Sequence, residues 1–194
     1  MVKRGAPRRK MTQGGLKDKR YRKTEEAIIE VLLRSKQMPS TGELTRRARI
    51  SRSTLYRHHR AIPGIVPDYE KEIINKYGRT VRKMLKRKGA DLKSIYLQML
   101  IFVVNNRRVF GILFKYSGDR VVERMVLKLQ DKIAEANYLP KKSEKMMRIY
   151  TKEVAGIVEG WYEKEFDEKE MNKVLEDIIY LTRMMKRRLR GLNE

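Results

Sequence analysis

The stretch STGELTRRARISRSTLYRHH, residues 40–59, decides how this chain is read. Ser40 stands at an N-cap position and Glu43 follows three residues later, the spacing of a capping box. Apolar residues then fall at Leu44, Ala48, Ile50 and Leu55, which gives two short helices and the turn between them one buried side. Ser51 caps the second start. The outward side of that second helix carries Arg52, Ser53, Thr54, Tyr56, Arg57 and His58, all able to donate hydrogen bonds and none acidic. A short basic helix braced by another is the form in which a helix-turn-helix enters the major groove of DNA.

Composition points the same way. The 194 residues are 41% hydrophobic, enough for a sizeable core, and the net charge of +23 calls for a polyanionic partner, double-stranded DNA first. The chain has no cysteine, which excludes disulfides and thiolate zinc sites and suits a reducing cytoplasm. The first 23 residues lack the apolar region of a secretory signal, and the apolar run around Ile101 to Val104 is too short to span a bilayer. The expectation is a cytoplasmic protein, nucleoid-associated when bound to DNA, with no membrane span.

Working outward, residues 1–23 hold ten Lys or Arg against Asp18 alone, with Gly5, Pro7, Gly14 and Gly15 as helix breakers. A disordered basic arm of charge +9 is expected, with Arg4, Arg8, Arg9 and Lys10 following DNA. Residues 24–66 form the DNA-binding unit, charge +4. It opens on a helix from about Arg22, capped at Thr24, with Glu25 and Glu26 in its first turn and Ala27, Ile28, Val31 and Leu32 on one face. Thr41 and Arg49 join the residues of the second helix as DNA contacts. Ile62-Pro63-Gly64 closes this unit.

Residues 67–194 carry the remaining +10 and read as a helical body. Pro67 opens a long helix over Asp68 to Arg87. Asp91 caps an apolar helix that Asn105 and Asn106 break or bend. A short helix follows to Ser117-Gly118, then one capped by Asp119 that stops before Pro140. Two long helices with broad apolar stripes close the chain. Ile157 and Trp161 on the first, with Val174, Ile178, Leu181 and Met185 on the second, are the expected interface of a homodimeric four-helix bundle. Tyr96, Met99, Phe102, Phe110, Phe114, Met125, Met147 and Tyr150 are either core or, with Asn106 as a polar group, the lining of an adaptable apolar pocket.

Helices in this order resemble the TetR family of transcriptional regulators. The most specific match is Ser51-Arg52-Ser53-Thr54-Leu55-Tyr56-Arg57-His58, which is similar to the family's Ser-x-x-Thr-Leu-Tyr-x-His signature. Gly156 to Tyr162 followed by Phe166-Asp167 is similar to the penultimate helix of one branch. The resemblance implies an all-α fold, a three-helix helix-turn-helix head with a six-helix ligand-binding and dimerisation body. It implies phosphate contacts from Thr54 and Tyr56, base contacts from Arg52 and Ser53, and backbone contacts from Arg57 and His58. It also implies a repressor that binds a palindromic operator as a dimer and responds to a small apolar or amphipathic effector. Four positions depart from the family pattern: Arg49 replaces the turn glycine, His59 a packing phenylalanine, and Ile62-Pro63 a Lys-Glu pair whose lysine clamps phosphate.

Other chemistry has little to stand on. His58 and His59, the two histidines of the chain, would point about 100° apart on a helix and could not chelate one ion together. Glu159, Glu163, Glu165, Asp167, Glu168 and Glu170 cluster around a helix–helix turn, where a solvated loop is expected rather than a cation site. No phosphate loop and no activated nucleophile is visible, so neither catalysis, cofactor nor metal is expected. Two further readings stay open: an architectural DNA-binding protein of the same fold without an effector, and a protein-interaction adaptor.

Overall fold

A computed structural model of the chain describes residues 13–86, 91–118, 120–135 and 144–191. It is all-α: among the described residues there are helices and turns and no strand. The chain divides into two compact units, residues 1–62 and 63–194.

In the first unit α1 spans Gln13–Arg34, α2 Thr41–Ala48 and α3 Arg52–His58. Ile28, Val31 and Leu32 of α1, Leu44 and Ala48 of α2 and Leu55 of α3 are buried, the faces that periodicity selected. The start of α1 corrects the expectation. Residues 13–23 are helical rather than part of a disordered arm, and Thr24 lies inside the helix, its hydroxyl donating to the Arg20 carbonyl at 3.1 Å instead of capping. Gly14 and Gly15 lie within α1; glycine keeps its amide and costs only backbone entropy, about 1 kcal/mol relative to alanine, which the rest of the helix outweighs. Arg4, Arg8, Arg9 and Lys10 lie outside the described residues.

In the second unit α4 spans Ile62–Leu85, α5 Leu92–Asn105, α6 Arg107–Ser117, α7 Arg120–Glu135, α8 Glu144–Glu163 and α9 Met171–Gly191. Here α4 begins at Ile62, ahead of Pro67, which sits inside the helix. Pro63, in the first turn, has φ pre-set for a helix, so nucleation happens there; Pro67 then removes one backbone bond close to the helix start, where the loss is small. Asp91 caps α5 as expected: its carboxylate accepts the Ser94 amide at 2.7 Å, a bond that also holds its pKa below the usual range. The axis turns by 85° between α5 and α6. Asn106 makes that corner, its amide donating to the Phe102 carbonyl at 2.6 Å and its oxygen accepting Lys76 Nζ at 2.7 Å. Gly118, at φ +67°, ends α6 in a conformation that favours glycine. The Asp119 cap lies outside the described residues. Among those described, no single helix is long and apolar enough to cross a membrane.

One polar chain runs through the core of this unit. Thr182 donates to the Ile178 carbonyl at 2.7 Å, so the Tyr150 hydroxyl must donate to Thr182 (2.7 Å) and Tyr96 to Tyr150 (2.7 Å). Burial pushes both phenols, and that of Tyr77, above their usual pKa. Tyr77 differs in that its buried hydroxyl meets no hydrogen-bond partner among the described residues. Replacing Tyr150 with Phe is therefore expected to destabilise by about 1–3 kcal/mol, because the buried Tyr96 hydroxyl loses its acceptor while Thr182 keeps its bond to Ile178, whereas Tyr77→Phe should be neutral or stabilising. Denaturant midpoints of the two variants measure the contrast.

Candidate nucleic-acid interface

The α2–turn–α3 stretch is built from its caps. Ser40 Oγ accepts the Glu43 amide at 3.2 Å and Ser51 Oγ accepts the Thr54 amide at 3.0 Å. Only half of the expected capping box forms, because the Glu43 carboxylate pairs with Arg47 at 2.9 Å. Arg47 also donates to Ser35 Oγ at 2.8 Å, tying α2 to the end of α1. At the turn Arg49 adopts φ +54° and ψ +45°, the left-handed conformation that the missing glycine would have taken. Its amide donates to the Arg46 carbonyl (3.3 Å) and that of Ile50 to Thr45 (3.0 Å), so the last carbonyls of α2 are satisfied as in a Schellman cap. A non-glycine residue in this region costs roughly 1–2 kcal/mol, and these two bonds hold it there.

Behind α3 lies a feature that the local sequence did not show. The Glu25 carboxylate, 16% exposed, meets His58 Nδ1 at 2.5 Å and His59 Nε2 at 3.3 Å, with both imidazoles about 5% exposed. Each ring must present an N–H to its oxygen, which fixes His58 as donor at Nδ1 and His59 at Nε2. Adjacent residues reach one carboxylate because His59 has left the helix: it is the C-cap, extended at φ −133° and ψ 133°. Tyr21 of α1 stacks on the His58 ring, centroids 4.2 Å apart and planes 11° from parallel. The His58 ring therefore faces Glu25 and Tyr21 as a brace, which corrects its placement on the outward face. Nor is Glu25 a first-turn charge; it lies in mid-helix as the acceptor that joins α1 to the end of α3.

The outward face of α3 carries the remaining expected contacts. Ser51, Arg52, Ser53, Tyr56 and Arg57 are exposed, Tyr56 by 50%, and Thr41 and Thr54 are half-buried. Thr54 Oγ1 accepts from Ser51 Oγ at 2.9 Å and from Arg57 Nη2 at 3.1 Å, which leaves its own proton to donate outward. Ser53 Oγ lies 2.8 Å from Ser51 Oγ. The Arg52 guanidinium passes close to Gly42, where an added Cβ would stand 3.9 Å from Nη2. Arg46, Arg49 and Arg60 are also exposed in the same unit.

The other expected sites are rearranged. Tyr96, Met99, Phe102, Phe110, Phe114, Met125 and Tyr150 are buried core side chains, at most 6% exposed. Phe102 stands 5.3 Å from Tyr77 and 6.3 Å from Phe110, ring to ring. Asn106 serves the α5–α6 corner and Met147 is half-buried on α8. Of the expected dimer residues, Trp161, Val174, Ile178 and Met185 are buried in the chain's own interior, and only Ile157 and Leu181 keep partial exposure. Stripes on α8 and α9 that periodicity offered to a partner face inward instead. The acidic cluster is committed locally. Asp167 Oδ1 accepts the Lys169 amide at 3.0 Å, and Glu170, its pKa lowered by Lys164, pairs with that lysine at 2.9 Å. Among the described residues no group of three or more acids and histidines is placed to hold a metal.

No protein-family model matches this chain, and no curated protein matches it significantly.

Glu25→Ala would remove the carboxylate that joins both imidazoles to α1 and should cost about 1–3 kcal/mol. Thermal unfolding by circular dichroism tests this, and an unchanged midpoint would mean the clamp carries no weight.

Proposed function

We propose that this chain is a TetR-type, sequence-specific DNA-binding regulator, a repressor that places α3 in the major groove and binds a palindromic operator as a dimer. The observation that carries the reading is the α3 face: Arg52, Ser53, Tyr56 and Arg57 exposed together, free of acid, on a helix braced from behind by Glu25. In this helix-turn-helix head, Arg52 and Ser53 face base edges, while Thr54, Tyr56 and Arg57 hold phosphates. Net charge of +23 supplies the sequence-independent part of the affinity. The six-helix body as an effector-binding domain rests on the family resemblance alone.

A second copy has a surface to dock on. Tyr180 and Met184, four residues apart on α9, are 64% and 46% exposed, and Ile149 on α8 is 49% exposed. Gly156 and Gly160 of α8 have nothing within 4 Å of where a Cβ would stand. These outward positions, with Ile157 and Leu181, replace the buried stripes as the dimer face.

Fluorescence anisotropy on duplex DNA separates the roles. Arg57→Ala should weaken binding on every sequence and lower the salt slope by about one, whereas Arg52→Ala should cost about 1–3 kcal/mol on the preferred site and relax one base position. Wild-type affinity in both variants would remove α3 from the interface. For the dimer, Tyr180→Glu combined with Met184→Glu should give a monomer by light scattering, and an unchanged dimer would place the interface elsewhere.

A further inference from the structure

In the second unit, α4 and α7 flank a cleft of about 170 Å3 lined by Asn75, Gly78, Arg79, Val81, Arg82 and Lys128. Three cations converge there without an acidic partner among the described residues. Nearby on the same two helices the situation is different: Arg124 of α7 is paired with Glu70 of α4 at 2.5 Å. Arg79 and Arg82 are three residues apart on one helix, a like-charge spacing that disfavours the empty site. Gly78 is the second unusual element. A glycine in a helix interior costs about 1 kcal/mol relative to alanine, so its presence asks for a reason. The reason is steric: a Cβ at this position would stand 2.7 Å from Lys128 Cε and 3.1 Å from Nζ. The bare backbone lets the lysine lie flat against α4, so packing rather than an ion pair brings its ammonium to the cleft.

We propose that this cleft binds the terminal phosphate group of a small anionic ligand. Two guanidinium forks, one ammonium and the Asn75 amide supply donors for a compact dianion with several acceptor oxygens. The volume is below the roughly 300–1,000 Å3 of pockets that enclose a whole small molecule, so the cleft holds a head group and leaves the rest of the ligand outside. Concavity favours a terminal phosphate over the backbone of a duplex, whose phosphodiesters meet convex basic surfaces. The site is independent of the α3 reading.

Calorimetric titration of the full chain with inorganic phosphate, at constant ionic strength in chloride, tests the proposal. One saturable site is expected. Arg79→Gln with Arg82→Gln should weaken it about tenfold or more, since both guanidiniums are charge-assisted donors. Gly78→Ala should weaken it as well without lowering the unfolding temperature, because alanine favours the helix while displacing Lys128. A control, Lys173→Gln with Arg183→Gln, removes the same charge from α9 and should leave phosphate binding unchanged. Non-saturable uptake, or equal loss in the control, would overturn the proposal by making the effect one of net charge. Phosphate binding that survives Arg79→Gln with Arg82→Gln, while duplex binding falls, would also overturn it and make the cleft a DNA contact.

Discussion

The presentation of α3 depends on one buried carboxylate. A helix of seven residues is far too short to hold itself together, and a single buried apolar side chain, Leu55, fixes it only as a pivot would. Glu25 supplies the second point of attachment, holding the last helical residue and its C-cap at once. Ser51 caps the first turn of α3, and at its other end Glu25 holds the side chains of His58 and His59 while the His59 amide donates to the Leu55 carbonyl. The solvent face of α3 is then free to carry nothing but donors. Holding two histidines and a glutamate in this part-buried place is tolerable because each imidazole donates to a carboxylate oxygen.

The same economy of partners explains where positive charge is and is not neutralised. Arg47 is held by Ser35 and Glu43, and Arg124 by Glu70. Among the described residues, Arg52 and Arg57 on α3 have no acid paired with them, nor have Arg79, Arg82 and Lys128 around their cleft. A chain of charge +23 has cations to spare, so exposure alone distinguishes nothing. What distinguishes these two places is geometry: one is a braced helix face, the other a recess whose lysine lies against a glycine. The first suits the groove of a duplex and the second a single compact anion.

How much of this was legible in the sequence follows the range of each interaction. Caps act over three residues, so Ser40, Ser51 and Asp91 could be read directly, and the left-handed turn could be placed at Arg49 even without its glycine. Helix starts were harder where breakers stand in a first turn: Gly14 and Gly15 do not stop α1, and Pro63 rather than Pro67 opens α4. The Glu25–His58 contact joins residues 33 apart, beyond any local pattern. Apolar spacing reports that a helix has a buried side but not which neighbour covers it. Trp161 and Ile178 therefore looked like interface and are core, while Tyr180 and Met184 on the opposite side of α9 went unnoticed. A signal for Gly78 was available, since a glycine inside a long amphipathic helix implies a close approach.

The central claim is that α3 reads base sequence from a two-fold-related pair of heads. Selection of the purified full chain on random duplex DNA, with the bound pool sequenced at two salt concentrations, tests it most directly. The account predicts a two-fold-symmetric motif that persists at the higher salt, its half-sites one helical turn or a multiple apart. Enrichment without any motif, vanishing as salt rises, would contradict it and leave a protein that binds DNA by charge alone.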